Sequence, residues 1–103
     1  MSESKECYAV IFKGTKSENK AGYDEAAMAM FELATKQDGF ISIDYSQMGD
    51  ESITISYWDS LEAIKNWKNN PKHKKVQEKG QKVWYKSYDI KVAKVIREYS
   101  FSN

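Results

Sequence analysis

A chain of 103 residues has room for one hydrophobic core and none for a separate cofactor domain. Its 41% apolar and 14% aromatic residues can fill that core, while 16 basic against 15 acidic side chains, a net charge of +1, give no general attraction for nucleic acid or anionic lipid. No run of about 18 apolar residues is present, Met1 to Glu6 is polar, and Cys7 is the only cysteine, so a cytoplasmic protein is expected, with no membrane span, no internal disulfide and no multi-cysteine metal site.

One domain is expected over 1–103, with an ordered core from about residue 7 to residue 99. Residues 7–13 form a β-branched and aromatic run that is apolar on both alternating faces: Tyr8, Val10 and Phe12 oppose Cys7, Ala9 and Ile11. Residues 14–22, with Gly14, Ser17, Asn19 and Gly22, read as a polar loop. From Tyr23 to about Gln37 the residues Tyr23, Ala27, Met30, Phe31 and Ala34 recur at helical spacing, and Asp38-Gly39 ends that helix. Two strands at 40–45 and 52–57 alternate apolar with polar around a turn at Gly49-Asp50, which predicts a hairpin with one apolar face.

Ser60 suits the N-cap of a helix carrying Leu61, Ile64 and Trp67, and Asn69-Asn70-Pro71 breaks it. A second helical segment is expected from about Pro71 to Lys86, with His73, Val76, Gly80 and Val83 on one face. Its lysines, with Glu78 among them, spread around the axis as an ordinary solvated surface. The last strand is expected from about Tyr88 to Tyr99. The order is β-α-β-β-α-β, a ferredoxin-like α+β fold: an antiparallel four-stranded sheet with helices on one face. Two helices cover only one side of such a sheet, yet the first and last strands are apolar on both. A second copy of the sheet is the simplest cover, which predicts a homodimer.

The stretch from Ser56-Tyr57-Trp58-Asp59-Ser60 to Trp67 resembles the core signature of the antibiotic biosynthesis monooxygenase family, where a strand ends in tryptophan, serine caps a helix and a second tryptophan follows. His73, Gly80, Trp84-Tyr85 and the strand through Val92, Val95 and Arg97 continue the resemblance, as does Asp38-Gly39-Phe40. It implies the dimeric α/β barrel, in which two such sheets pack face to face. It is less specific for chemistry, because the family includes cofactor-independent monooxygenases of aromatic substrates, quinol oxygenases and haem-degrading enzymes.

His73 is the only histidine, hence the only side chain with an ordinary pKa near neutrality, and it is the candidate general base for a phenolic or quinol substrate. Its plain alternative is a packing or capping residue beside Pro71. Trp67, Trp58, Trp84, Phe31 and Tyr57, with Tyr45 and Tyr85, are candidates to line a flat cavity for a small aromatic ligand, although aromatics at such spacing also build cores. Trp67 matches a pocket-lining tryptophan in the haem-degrading members. Those members also carry an axial histidine where this sequence has Gln77, and a first-strand asparagine where it has Ala9, Val10 and Ile11. The leading expectation is therefore a cofactor-independent monooxygenase with no metal. The alternatives are a non-catalytic binding or stress-related dimer and a haem-binding or haem-degrading enzyme. Asp44, on the polar alternation of the second strand, is expected to face the partner sheet and pair there with Lys91 or Arg97.

Overall fold

The computed structural model describes residues 6–103; residues 1–5, most of the polar N-terminal stretch, lie outside the described residues. In chain order the elements are β1 (Tyr8–Lys16), α1 (Tyr23–Thr35), β2 (Phe40–Met48), β3 (Glu51–Trp58), α2 (Leu61–Lys68), α3 (Pro71–Lys79), one turn of π-helix (Gly80–Trp84) and β4 (Tyr85–Lys94). The strands form one sheet in the order β2-β3-β1-β4 with every neighbouring pair antiparallel. This is the ferredoxin-like arrangement, with the helices on one face. No helix among the described residues is long and apolar enough to cross a membrane.

Local signals place most boundaries. Gly39 adopts φ 86° where α1 gives way to β2. The Ser60 hydroxyl accepts from the Ala63 N–H at 3.0 Å to start α2. Asn70 caps α3 by accepting from the N–H groups of Lys72 and His73 at 3.0 and 3.2 Å, with Pro71 in the first helical turn.

Three expectations need correction. β1 runs on to Lys16 rather than entering a loop at Gly14, and Lys16 is buried at 2% exposure. The second helical segment stops at Trp84, and β4 spans Tyr85–Lys94 instead of reaching Tyr99. The π-turn brings Trp84 and then Tyr85 inward and ends the helix early. At the other end, the Val95 N–H donates to the Cys7 carbonyl at 2.8 Å, and β1 begins at Tyr8, so the ladder partner runs out there among the described residues.

The third correction concerns the hairpin, whose strands do not share an apolar face. Gly49-Asp50 forms a two-residue turn that pairs Met48 with Glu51, so odd-numbered residues of β2 lie opposite even-numbered residues of β3. Ile43 and Tyr45 therefore oppose Ser56 and Thr54 on the helix side, whereas Ile53 and Ile55 oppose Ser46 and Asp44 on the outer side. The outer face consequently gathers Ile53, Ile55, Tyr57, Ile11, Ala9 and Ala93. Asp44 lies on this face beside Tyr57, whose hydroxyl is pushed to a higher pKa by desolvation and then by the Asp44 carboxylate.

Between sheet and helices, Ala34, Trp58, Ala63 and Trp67 form the buried core, with Val10, Met30, Leu33, Phe40 and Ile64 packed against it. The Phe40 ring meets Trp58 edge-on at 5.5 Å, and Trp58 stacks on Trp67 at 6.0 Å.

Candidate active site

The helix side of the sheet does not close completely. A cavity of about 560 Å³ remains between Val10, Phe12, Ile43, Thr54, Ser56, Ile90 and Val92 of the sheet and the inner faces of α1, α2, α3 and the π-turn. That volume suits a small organic ligand, and the lining is mainly apolar with a few polar groups.

His73 is the polar group with the most constrained geometry. It sits in the first turn of α3, and its ring lies on Trp67 with centroids 4.0 Å apart and planes 13° from parallel. Its Nδ1 is 3.0 Å from the Trp67 carbonyl oxygen. A carbonyl only accepts, so Nδ1 carries the hydrogen and Nε2 is left with the lone pair in the neutral ring. Burial lowers the pKa of His73, and the Trp67 carbonyl offsets part of that effect. The result is a neutral imidazole with a fixed tautomer in the wall of an apolar cavity, where a proton acceptor competes little with water.

The aromatic candidates divide. Trp67, Trp84 and Phe31 line the cavity together with His73. Trp84 is 3% exposed, and its indole N–H donates to the Ala21 carbonyl at 2.8 Å. Trp58 does not line the cavity: it is fully buried behind Trp67, with its indole N–H donating to the Ser56 hydroxyl at 2.9 Å. Tyr57 is not there either, because strand alternation turns it to the outer face. Tyr45 packs edge-on against Phe31 with centroids 6.0 Å apart.

At the far end of the cavity the sequence reading singled out Tyr85 but neither Tyr23 nor their pairing. Tyr23 and Tyr85 both line it, their hydroxyls meet at 3.0 Å, and desolvation raises the pKa of each, so both stay protonated. Behind them the ammonium of Lys16 lies 3.9 Å from the Tyr23 ring centroid and donates to Gln47 Oε1 at 2.8 Å. Tyr23 was legible only as part of a helical stripe, and nothing in the sequence joins it to a tyrosine 62 positions away. Gln77 is also in the wall, one turn beyond His73.

Comparison with known proteins agrees with this fold. The chain is 47% identical over 95 residues to the uncharacterized protein YqjZ of Bacillus subtilis, covering 91% of this chain and 83% of that one. Among solved structures, Rv0793 of Mycobacterium tuberculosis superposes with a TM-score of 0.80 at 18% identity, over 91% of this chain and 99% of that one. SnoaB, described as a cofactor-independent oxygenase from Streptomyces nogalater, gives a TM-score of 0.70 at 12% identity, over 97% of this chain and 100% of that one. The family model for antibiotic biosynthesis monooxygenase matches residues 7–79, and the chain belongs to that family.

Proposed function

We infer that this protein is a cofactor-independent monooxygenase of a phenolic or quinol-type aromatic. The observation that carries the reading is His73, with Nδ1 tied to the Trp67 carbonyl and Nε2 left to accept a proton in an apolar cavity. The flat substrate lies among Trp67, Phe31 and Trp84, and Nε2 removes its hydroxyl proton. The resulting phenolate is electron-rich enough to reduce dioxygen directly, which the neutral phenol does poorly. A phenol with a free C–H para to the hydroxyl takes one oxygen atom at that carbon and becomes a quinone. The O–H and C–H hydrogens leave with the other oxygen atom as water, and the ring supplies all the electrons, so no external reductant is required. SnoaB, a structural neighbour described as a cofactor-independent oxygenase, supports the assignment.

The test is dioxygen uptake by the purified protein across a set of phenols and quinols, with quinone formation followed by absorbance and no flavin or metal added. Equimolar uptake and quinone formation above the buffer rate support the reading. Binding without uptake for every compound that binds would reduce the protein to a binding module. Haem titration is expected to produce no shifted Soret band, since Gln77 rather than a second histidine stands in the wall beyond His73. A stoichiometric band lost in His73→Ala would overturn the cofactor-free reading.

The working unit in this reading is a homodimer joined through the outer sheet face. Ile53, Ile55, Ile11 and Tyr57 form that face, and Ile96, Tyr99 and Phe101 beyond β4 are 88, 83 and 87% exposed. Sedimentation velocity at micromolar concentration is expected to give a dimer, and Ile55→Glu a folded monomer, because a second carboxylate placed opposite Asp44 would be buried unpaired in a closed sheet-to-sheet interface. A monomeric wild-type protein would remove the dimer.

A further inference from the structure

We propose that Lys68 is an anion contact at the mouth of the cavity, and that the substrate is a hydroxyaryl carboxylate. The ring enters with its hydroxyl toward His73, and the acid group stays at the opening beside the Lys68 ammonium. This rests on the reading of the cavity as a substrate site.

Three observations carry the proposal. The first is placement. Lys68 follows Ile64 by four positions, so the two share one face of α2, and both line the cavity. Its backbone is one peptide bond from the Trp67 carbonyl that holds His73 Nδ1, which roots Lys68 directly beside the proton acceptor. The residue lines the cavity and is nevertheless exposed, so it stands where the cavity opens to water.

The second is charge. Lys68 is the only lysine, arginine, aspartate or glutamate among the residues that line the cavity. No carboxylate pairs with it among the described residues, in contrast to Lys20, Lys91 and Lys94, which hold Asp50, Asp89 and Glu6 at 3.1, 2.7 and 3.3 Å. Its neighbours add to its charge instead of cancelling it: Lys65 precedes it by one helical turn and Lys72 lies in the first turn of α3, whereas Glu62 stands off that face. The opening therefore carries a positive potential that draws an anion toward it.

The third is the polarity of the interior. The wall is mainly apolar, and the Tyr23 and Tyr85 hydroxyls at the far end bind each other at 3.0 Å. A carboxylate carried inward would lose its water without gaining a partner, whereas at the mouth it keeps its water and gains the ammonium. A carboxylate meta to the hydroxyl suits a lysine rooted beside His73, because the flexible four-carbon stem of Lys68 spans the gap between two groups on one ring. That pattern also leaves free the C–H para to the hydroxyl, which the oxygenation consumes.

The test is anaerobic calorimetric titration with 3-hydroxy-5-phenylbenzoate and 3-hydroxy-5-phenylbenzamide, which share a shape and differ in charge. At low salt the wild-type protein is expected to bind the acid about fivefold more tightly, the upper end for an ion pair in contact with water. Raising the salt to about 1 M should remove most of that preference by screening. In Lys68→Met, which keeps an apolar stem, the preference is expected to fall to about twofold or less at low salt, while binding of the amide shows that the cavity persists. Lys86→Met removes the same charge outside the cavity wall and should retain the preference. Equal or reversed affinities in the wild type, a preference that survives Lys68→Met, or an equal loss in Lys86→Met overturns the anion contact and leaves the His73 chemistry standing. Failure of both probes to bind overturns this proposal and the reading of the cavity together.

Discussion

Replacing His73 with alanine is expected to lower the rate of dioxygen uptake by roughly 10²–10⁴-fold, the usual contribution of a positioned general base. The pH profile gives the sharper check. Burial holds the His73 pKa below its ordinary value of about 6.5, so the neutral ring with an unprotonated Nε2 predominates at neutral pH. The wild-type kcat/KM should therefore be flat around pH 7 and fall only as the medium becomes acidic enough to protonate the ring. That acid limb should vanish in His73→Ala, whose residual rate should rise with pH as the substrate ionises unaided. A rate unchanged by the substitution, or an acid limb that survives it, would remove His73 from the mechanism. The same lowered pKa ties stability to pH. Between the folded and unfolded values the unfolded chain binds more protons, so this contribution is complete above the unfolded value of about 6.5 and is lost as pH falls through the folded one. Acid should thus weaken catalysis and fold together, and denaturation midpoints measured in parallel with rates separate the two.

Much of this site was legible in the chain because it rests on short-range signals. Ser60 as cap, Asn70-Pro71 as breaker and the helical spacing of Ile64 and Trp67 place His73 one step beyond the end of α2, where its ring folds back onto Trp67. The element order follows from periodicity and turn residues in the same way. What was not legible depends on register. The alternating isoleucines and tyrosines fall on odd positions in both hairpin strands, and only the length of the Gly49-Asp50 turn decides that they separate onto opposite faces. That parity sends Tyr57 to the outer face and leaves Thr54 and Ser56 facing the helices, where Ser56 is available to the Trp58 indole. The far end of the cavity was hidden for a related reason. Lys16 falls within the expected polar loop until the prolonged β1 carries it under α1, and Tyr85, although a candidate for the cavity wall, falls at the end of an expected helix until the π-turn feeds it into β4. Both depend on backbone events with no residue signature of their own.

Trp58→Ala is expected to cost about 3–5 kcal/mol in urea denaturation, the range for removing a fully enclosed large aromatic, against a total stability of about 5–15 kcal/mol for a domain of ordinary size. The side chain is 0% exposed and lies between Phe40 and Trp67, so few neighbours can collapse into the space it leaves. Trp58→Phe isolates the functional part of this role. It keeps an aromatic ring in the stack but removes the indole N–H, leaving the buried Ser56 hydroxyl without that donor at a cost of about 1–3 kcal/mol. Because Trp67 rests on Trp58 and His73 rests on Trp67, the phenylalanine variant should also lower kcat, while the acid limb due to His73 stays in place. A merely structural Trp58 would lower the denaturation midpoint and leave kcat of the folded fraction untouched. A positioning Trp58 moves both, since the ring stacked beneath the His73–Trp67 pair is one that the core holds in place.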